Sequence, residues 1–310
     1  MRVTRSIAQQ SFDALLRSQI VWMFITIFAV LVSVSAYLGW SATHTVQSIY
    51  LDAVQYFESL NQEPPTNPVL QTSPLALMRN MVTYISLIGA LAAIIVGHQL
   101  VANDKKSGTI PLLFTHPISA KQYAFGKFWA LGKMLFAMSL IVTIFGGVLL
   151  LVLPAVQIDE TQWMQFIAFV VLSWVYMSIF GTLALGFAAR VDSQSSALLM
   201  PILFLLIATF ILPEVTGNIH PTAAINPISA LAATPDSGFF RISSSLIGML
   251  SLEEAYLYQS AKLLDFLPDA LAYRSPIPPI FTLMSGLAGS IVCAYLFIQK
   301  MLKTTGDFNV

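Results

Sequence analysis

The sequence predicts an all-α integral membrane fold, with six transmembrane helices, an N-terminal amphipathic interfacial helix and both termini in the cytoplasm. Three observations predict it. The 310 residues are 56% hydrophobic and only 10% charged, with a mean hydropathy of +0.76, whereas a surface facing water carries roughly 25% charged residues. Apolar stretches recur that are long enough to cross a hydrocarbon core about 30 Å thick at about 1.5 Å per residue. The basic residues are shared unequally between the segments that join those stretches. Residues 1–310 read as a single transmembrane domain.

In chain order, residues 1–18 come first. Val3, Ile7, Ala8, Phe12, Leu15 and Leu16 fall at helical three-and-four spacing, with Arg2, Arg5, Gln9, Gln10, Asp13 and Arg17 elsewhere. That pattern suits a helix lying in the membrane interface. The spans follow at residues 20–40, 81–101, 134–156, 163–189, 196–212 and 277–299. The first is not a signal peptide, despite Val34-Ser35-Ala36, because its apolar run exceeds the roughly 7–15 residues of a signal sequence. The fifth contains Pro201, and its start reaches back towards Asp192.

Two long segments lie on the outer side, at residues 41–80 and 213–276. The first contains Glu63-Pro64-Pro65-Thr66-Asn67-Pro68, which cannot continue a helix. In the second, Ser251-Leu252-Glu253-Glu254 reads as a capping box opening a helix from Leu252 to Leu267, stopped by Pro268. Leu252, Tyr256, Leu263, Leu264 and Leu267 mark its docked face.

Charge sets the orientation. With the N-terminus inside, the inner segments hold Arg2, Arg5, Arg17, Lys105, Lys106, Lys121, Lys127, Lys133, Arg190, Lys300 and Lys303, eleven of the 15 basic residues. Only Asp13, Asp104, Asp192 and Asp307 oppose them there. Arg79, Arg241, Lys262 and Arg274 lie outside with the other eleven acids. Loops rich in Lys and Arg stay in the cytoplasm.

Several function classes fall away. A net charge of zero offers no basic stripe for nucleic acid. The lone Cys293 forms no intrachain disulfide and has no companion at metal-ligand spacing; no metal site is expected. An ion-coupled secondary transporter normally keeps ionisable groups near the bilayer midplane, yet no Asp, Glu, Lys or Arg stands well inside any span. His98, near the inner end of the second, reads as an interface or packing residue. Intramembrane proteolysis lacks an Asp pair or a His-Glu-x-x-His run, and His44, His116 and His220 are in loops. Glu253 and Glu254 read as helix-cap residues. No substrate site is assigned: Thr26, Ser33, Trp174, Tyr176 and Ser178 read as packing. Ser285 with Gly289, and Ala184 with Ala188, permit close helix contacts.

The most informative segment joins the second and third spans. Gly108 permits a sharp turn, and Thr109 can cap a short helix with Pro111 in its first turn. Ile110, Leu112, Leu113 and Phe114 supply apolar surface, and Pro117 ends the piece. Ser119 and Gln122 form a capping box opening the helix that leads into the third span. Hydrophobic residues presented by an inner loop mark a docking surface. The chain has no nucleotide site of its own. A phosphate-binding loop needs Gly-x-x-x-x-Gly-Lys-Ser/Thr, and Gly126-Lys127 is followed by Phe128, with Lys121 in the place of the first Gly.

The same segment resembles the signature loop of ABC-2-type transporter permeases, with Asp104, Gly108, Thr109, Leu113, Pro117, Ile118, Ser119, Tyr123, Gly126 and Lys127 at the matching places. Asp104 stands where that family more often has Glu, and Lys106 where a second acid is common. The span count, amphipathic N-terminus and inner termini are also similar, and Asn226-Pro227-Ile228 resembles the branch typified by the nitrous-oxide reductase maturation permease (NosY). The resemblance implies a non-enzymatic membrane subunit that couples ATP hydrolysis by a separate ABC ATPase subunit to export or translocation. Asp104, Gly108, Thr109, Ile110, Leu112, Leu113, Phe114, Pro117, Tyr123, Gly126 and Lys127 would form the ATPase-coupling loop. ATP and Mg would sit in the partner, with no cofactor on this chain. A second permease copy or a paralogue would complete a dimer in a prokaryotic cytoplasmic (inner) membrane. The alternatives are a non-transporting scaffold that transmits ATPase motion to a partner complex and, further off, an ion-coupled secondary transporter.

Overall fold

The computed structural model describes residues 2–64, 66–71, 73–108, 110, 118–153, 158–216, 238–267, 273 and 275–306. We number the principal helices α1 (Arg2–Leu16), α2 (Gln19–Ser59), α3 (Pro74–Lys106), α4 (Ala120–Val152), α5 (Glu160–Arg190), α6 (Gln194–Ile211), α7 (Gly238–Ile247), α8 (Leu252–Leu263) and α9 (Pro279–Gly306). Among the described residues, six of these (α2, α3, α4, α5, α6 and α9) are long and apolar enough to cross a membrane. An even number of crossings returns the chain to the side on which it began. We call that the terminal side, and the opposite one the far side.

The helix limits depart from the apolar runs for local reasons. α2 does not stop near residue 40 but continues for 41 residues, about 60 Å at helical rise, because nothing between Ser41 and Ser59 breaks a helix. The first half of the expected outer segment is therefore a rigid extension of the first span. α4 starts at the expected capping box, with Ser119 Oγ accepting from the Gln122 amide at 3.2 Å and Gln122 Oε1 accepting from the Ser119 amide at 3.0 Å. Asp159 and Gln162 open α5 in the same way. α6 begins after Ser193, as the backward reach towards Asp192 anticipates.

The capping box expected at Ser251 does not form. Ser119 and Asp159 cap at ψ of 149° and 169°, but Ser251 has ψ 77°, so its hydroxyl is not aimed at the first-turn amides. Ser251 Oγ is buried without a hydrogen-bond partner among the described residues. Glu253 and Glu254 turn into the bundle and are buried, instead of facing back to the cap. α8 also ends at Leu263, short of Leu267. Asp265 adopts a left-handed φ of 56°, and the Phe266 amide donates to the Ala261 carbonyl at 3.0 Å, a Schellman-type stop.

α3 and α5 are the most buried of the six spans, and α2, α6 and α9 are the more outward-facing ones. α3 and α5 cross where Gly97 lies against the backbone of Gly181, so that a Cβ at Gly97 would collide with the Gly181 carbonyl. Gly186 meets Ala294 of α9 in a similar way, 2.9 Å from the Cα to an added Cβ. Ala184 and Ala188 lie within such packing, whereas Ser285 and Gly289 are exposed. Two spans carry π-helical segments, Ile85–Gly89 in α3 and Ile207–Ile211 in α6.

Candidate functional site

The terminal ends of α3 and α4 bound the segment singled out by its sequence. Residues one helical turn apart share a face. Leu100 and Asp104 therefore look the same way from α3, and Tyr123 and Lys127 the same way from α4. Where these faces meet, Lys127 is 2% exposed and its Nζ lies 2.6 Å from Asp104 Oδ2. The ammonium also donates to the Leu100 carbonyl at 2.8 Å and to Ser11 Oγ at 2.9 Å. An ammonium has three N–H bonds, and all three have acceptors. Tyr123 donates its hydroxyl to the same Asp104 oxygen at 2.6 Å. Its ring lies under the Lys127 charge, 5.2 Å from centroid to Nζ.

Ser11 brings α1 into this joint. The apolar stripe read from residues 1–18 does form a helix, and it packs largely on protein: Ile7, Ala8, Ser11 and Leu15 are buried. Gly126 makes the approach possible. A Cβ there would lie 2.7 Å from Ile7 Cγ2 and 3.2 Å from the Thr4 carbonyl. Lys133 adds a contact over the Phe12 ring at 5.9 Å.

The next residue of α3 reaches the other way. Lys105 Nζ donates to the carbonyls of Ala189 at 3.2 Å and Val191 at 2.9 Å, the groups a helix C-terminus leaves without partners. Closer to the bundle centre, His98 Nε2 lies 3.2 Å from the Gln194 carbonyl at the start of α6. The last turns of α3 thus tie α1 and α4 on one side to α5 and α6 on the other.

Of the expected coupling residues, the structure brings Asp104, Tyr123, Gly126 and Lys127 together. Gly108 follows directly, in a left-handed turn with φ 65°, where an added Cβ would meet nothing within 4 Å among the described residues. Ile110, which its place in the loop predicts on an exposed apolar face, is instead 6% exposed and joined to the core. Thr109, Leu112, Leu113, Phe114 and Pro117 lie outside the described residues. Sequence reading missed Ser11, Lys105 and the Leu100 carbonyl. The paired i, i+4 spacings on α3 and α4 were the available signal for the joint; nothing in the sequence marked Ser11. Among the described residues, no three of His, Cys, Asp and Glu stand together as a metal site requires.

The sequence matches the family described as ABC-2 family transporter protein over residues 5–292. That is most of its length, and the chain belongs to this family. No curated protein matches it. It is an integral membrane protein of the ABC transporter permease class.

Proposed function

With membership of the ABC-2 transporter family as premise, we propose that this chain couples ATP hydrolysis by a separate ABC ATPase subunit to export or translocation across a prokaryotic cytoplasmic membrane. The segment between α3 and α4 is the docking element, and the terminal side, with both chain ends, faces the cytoplasm. ATP and Mg reside in the ATPase, and a second permease copy or a paralogue completes the transporter. The excess of lysine and arginine on the terminal side supports this orientation.

One observation carries the coupling role. The segment springs from the joint of Asp104, Tyr123 and Lys127, which binds α1, α3 and α4, while Lys105 ties the same turn to α5. A push on the segment therefore moves four elements together rather than bending one loop. Buried charge pairs hold such geometry because separating them leaves an uncompensated charge in low dielectric.

Gly108 provides the test. A β-branched side chain is strained at φ 65°, and a Cβ there meets nothing within 4 Å among the described residues, so Gly108→Val is expected to re-aim the segment without crowding the bundle. Gly108→Val, or deletion of residues 110–115, is expected to leave the chain folded in the membrane and to abolish solute-stimulated ATP hydrolysis by the assembled complex. Normal association and normal turnover of either altered chain would remove the docking role from this segment.

A further inference from the structure

On the far side a carboxyl group is buried that, among the described residues, no basic group neutralises. Glu253, in the first turn of α8, is 0% exposed, and among the described residues neither of its side-chain oxygens meets a partner in full hydrogen-bond geometry. α8 packs on α5 and α9 and reaches α3 and α6, so the helix that carries the carboxyl lies among four spans. Two hydroxyls act on it, Thr209 from α6 and Ser86 from α3. Each belongs to one of the two π-helical segments. Thr209 Oγ1 has no other partner among the described residues, while Ser86 Oγ turns back to the Thr83 carbonyl at 3.0 Å. π-helical segments inside α-helices gather at functional sites, and here both converge on one acid.

The titratable groups that face Glu253 are Tyr176 from α5 and Tyr256 from α8 itself. Their rings stack at 4.3 Å. The Tyr176 hydroxyl donates to the Ser86 carbonyl at 3.2 Å, and the Tyr256 hydroxyl pairs with Ser173 Oγ at 2.9 Å. Among the described residues, α3, α6 and α9 bring no titratable group against Glu253, and no lysine or arginine pairs with it. Glu254 is its neighbour in the chain. An ionised carboxylate here would be a buried charge with no cation paired to it among the described residues. A protonated one has an O–H to donate and lone pairs to receive the hydroxyls.

We propose that Glu253 is a proton-binding site: it holds a proton while α8 is seated between the spans and releases it to far-side water when α8 lifts, which makes α8 a proton-sensitive plug. The site needs no ATPase contact, so it stands apart from the coupling role of the α3–α4 segment. Burial raises the carboxyl from 4.5 to about 7. In an unseated, hydrated α8 it returns to the ordinary value. Seating is therefore firmest below pH 4.5 and weakens as pH rises towards about 7. Above that the group is ionised in both states and the balance changes no further.

The test is amide exchange of residues 252–263 in the full chain in lipid nanodiscs, corrected for intrinsic rates. Protection of the wild type is expected to fall up to about tenfold per pH unit between the two values and then level off. Glu253→Gln keeps the shape without the titration, so its α8 should show flat protection at the wild type's low-pH level. Glu254→Gln should keep the slope. Flat wild-type protection, a slope that persists in Glu253→Gln, or a slope lost only in Glu254→Gln would each overturn the assignment. If Glu253→Gln does not fold, infrared spectra of the wild type decide. A protonated-carboxyl stretch titrating near pH 7 supports the site, and loss of every such band within the ordinary carboxylate range overturns it.

Discussion

At the terminal side Lys127 is buried with an acceptor for each of its N–H bonds; at the far side Glu253 is buried with no opposite charge among the described residues. Both positions bear the cost of removing an ionisable group from water. The first offsets it with an opposite charge, a carbonyl and a hydroxyl drawn from α3 and α1. Such an arrangement has one low-energy geometry, which suits a joint that must not slip. The second leaves only the option of giving up the charge, and a group that can take or lose a proton suits a part that must move. The difference teaches that the partners of a buried ionisable group, more than its burial, separate a rigid connector from a titratable one.

The largest effect should come from breaking the joint. Asp104→Asn keeps an acceptor for Tyr123 but leaves the Lys127 ammonium buried without its counter-charge. Breaking a buried pair in this way costs about 3–5 kcal/mol, and the 22% exposure of Asp104 places the value towards the lower end. The melting temperature of the detergent-solubilised chain should drop, and adding Lys127→Met should recover part of the loss. An Asp104→Asn chain as stable as the wild type would mean that the pair is hydrated and the contrast with Glu253 empty.

The far side sharpens the comparison through pH. Because the folded carboxyl is raised from 4.5 to about 7, the folded state binds the extra proton between those values, and stability falls as pH rises through them. One pH unit corresponds to about 1.4 kcal/mol at most, and to about 3 kcal/mol over the window. Equilibrium unfolding across this range should show the slope in the wild type and its loss in Glu253→Gln, with the variant at least as stable above the window. A less stable Glu253→Gln above it would show that the ionised form is stabilised in place.

A smaller effect probes how α1 joins the rigid end. Gly126→Ala sets a Cβ against Ile7, 2.7 Å from Cγ2 and 2.9 Å from Cβ. Overpacking of this kind costs about 1–3 kcal/mol. Amide exchange should speed up in α1 and stay unchanged in α8. Equal protection of α1 in both chains would show that it is held by lipid and not by α4.

The elements that sequence reading recovered are those specified by neighbours in the chain. The Ser119–Gln122 box depends on residues three apart, and it formed. The Ser251–Glu254 box has the same spelling and did not, because packing on α5, α3 and α6 drew the glutamates inward and set Ser251 at a non-capping ψ. Asp104, Tyr123, Gly126 and Lys127 were recognisable as a group from their spacing and their family likeness. Their structural role was not, since it depends on Ser11, 116 residues away from Lys127. The absence of Asp, Glu, Lys and Arg from the midst of the spans was likewise legible. It hid the fact that an acid from outside them is carried in by α8.

Hydrophobic run length is a local quantity, and the bilayer responds to it directly, so the crossings and the asymmetry of charge around them are written in the order of the residues. Whether a charge inside that bundle is neutralised depends on atoms that meet only after the helices pack. For that reason the closed joint at Lys127 and the open one at Glu253 belong to the folded molecule, where distances between remote residues set the electrostatic cost.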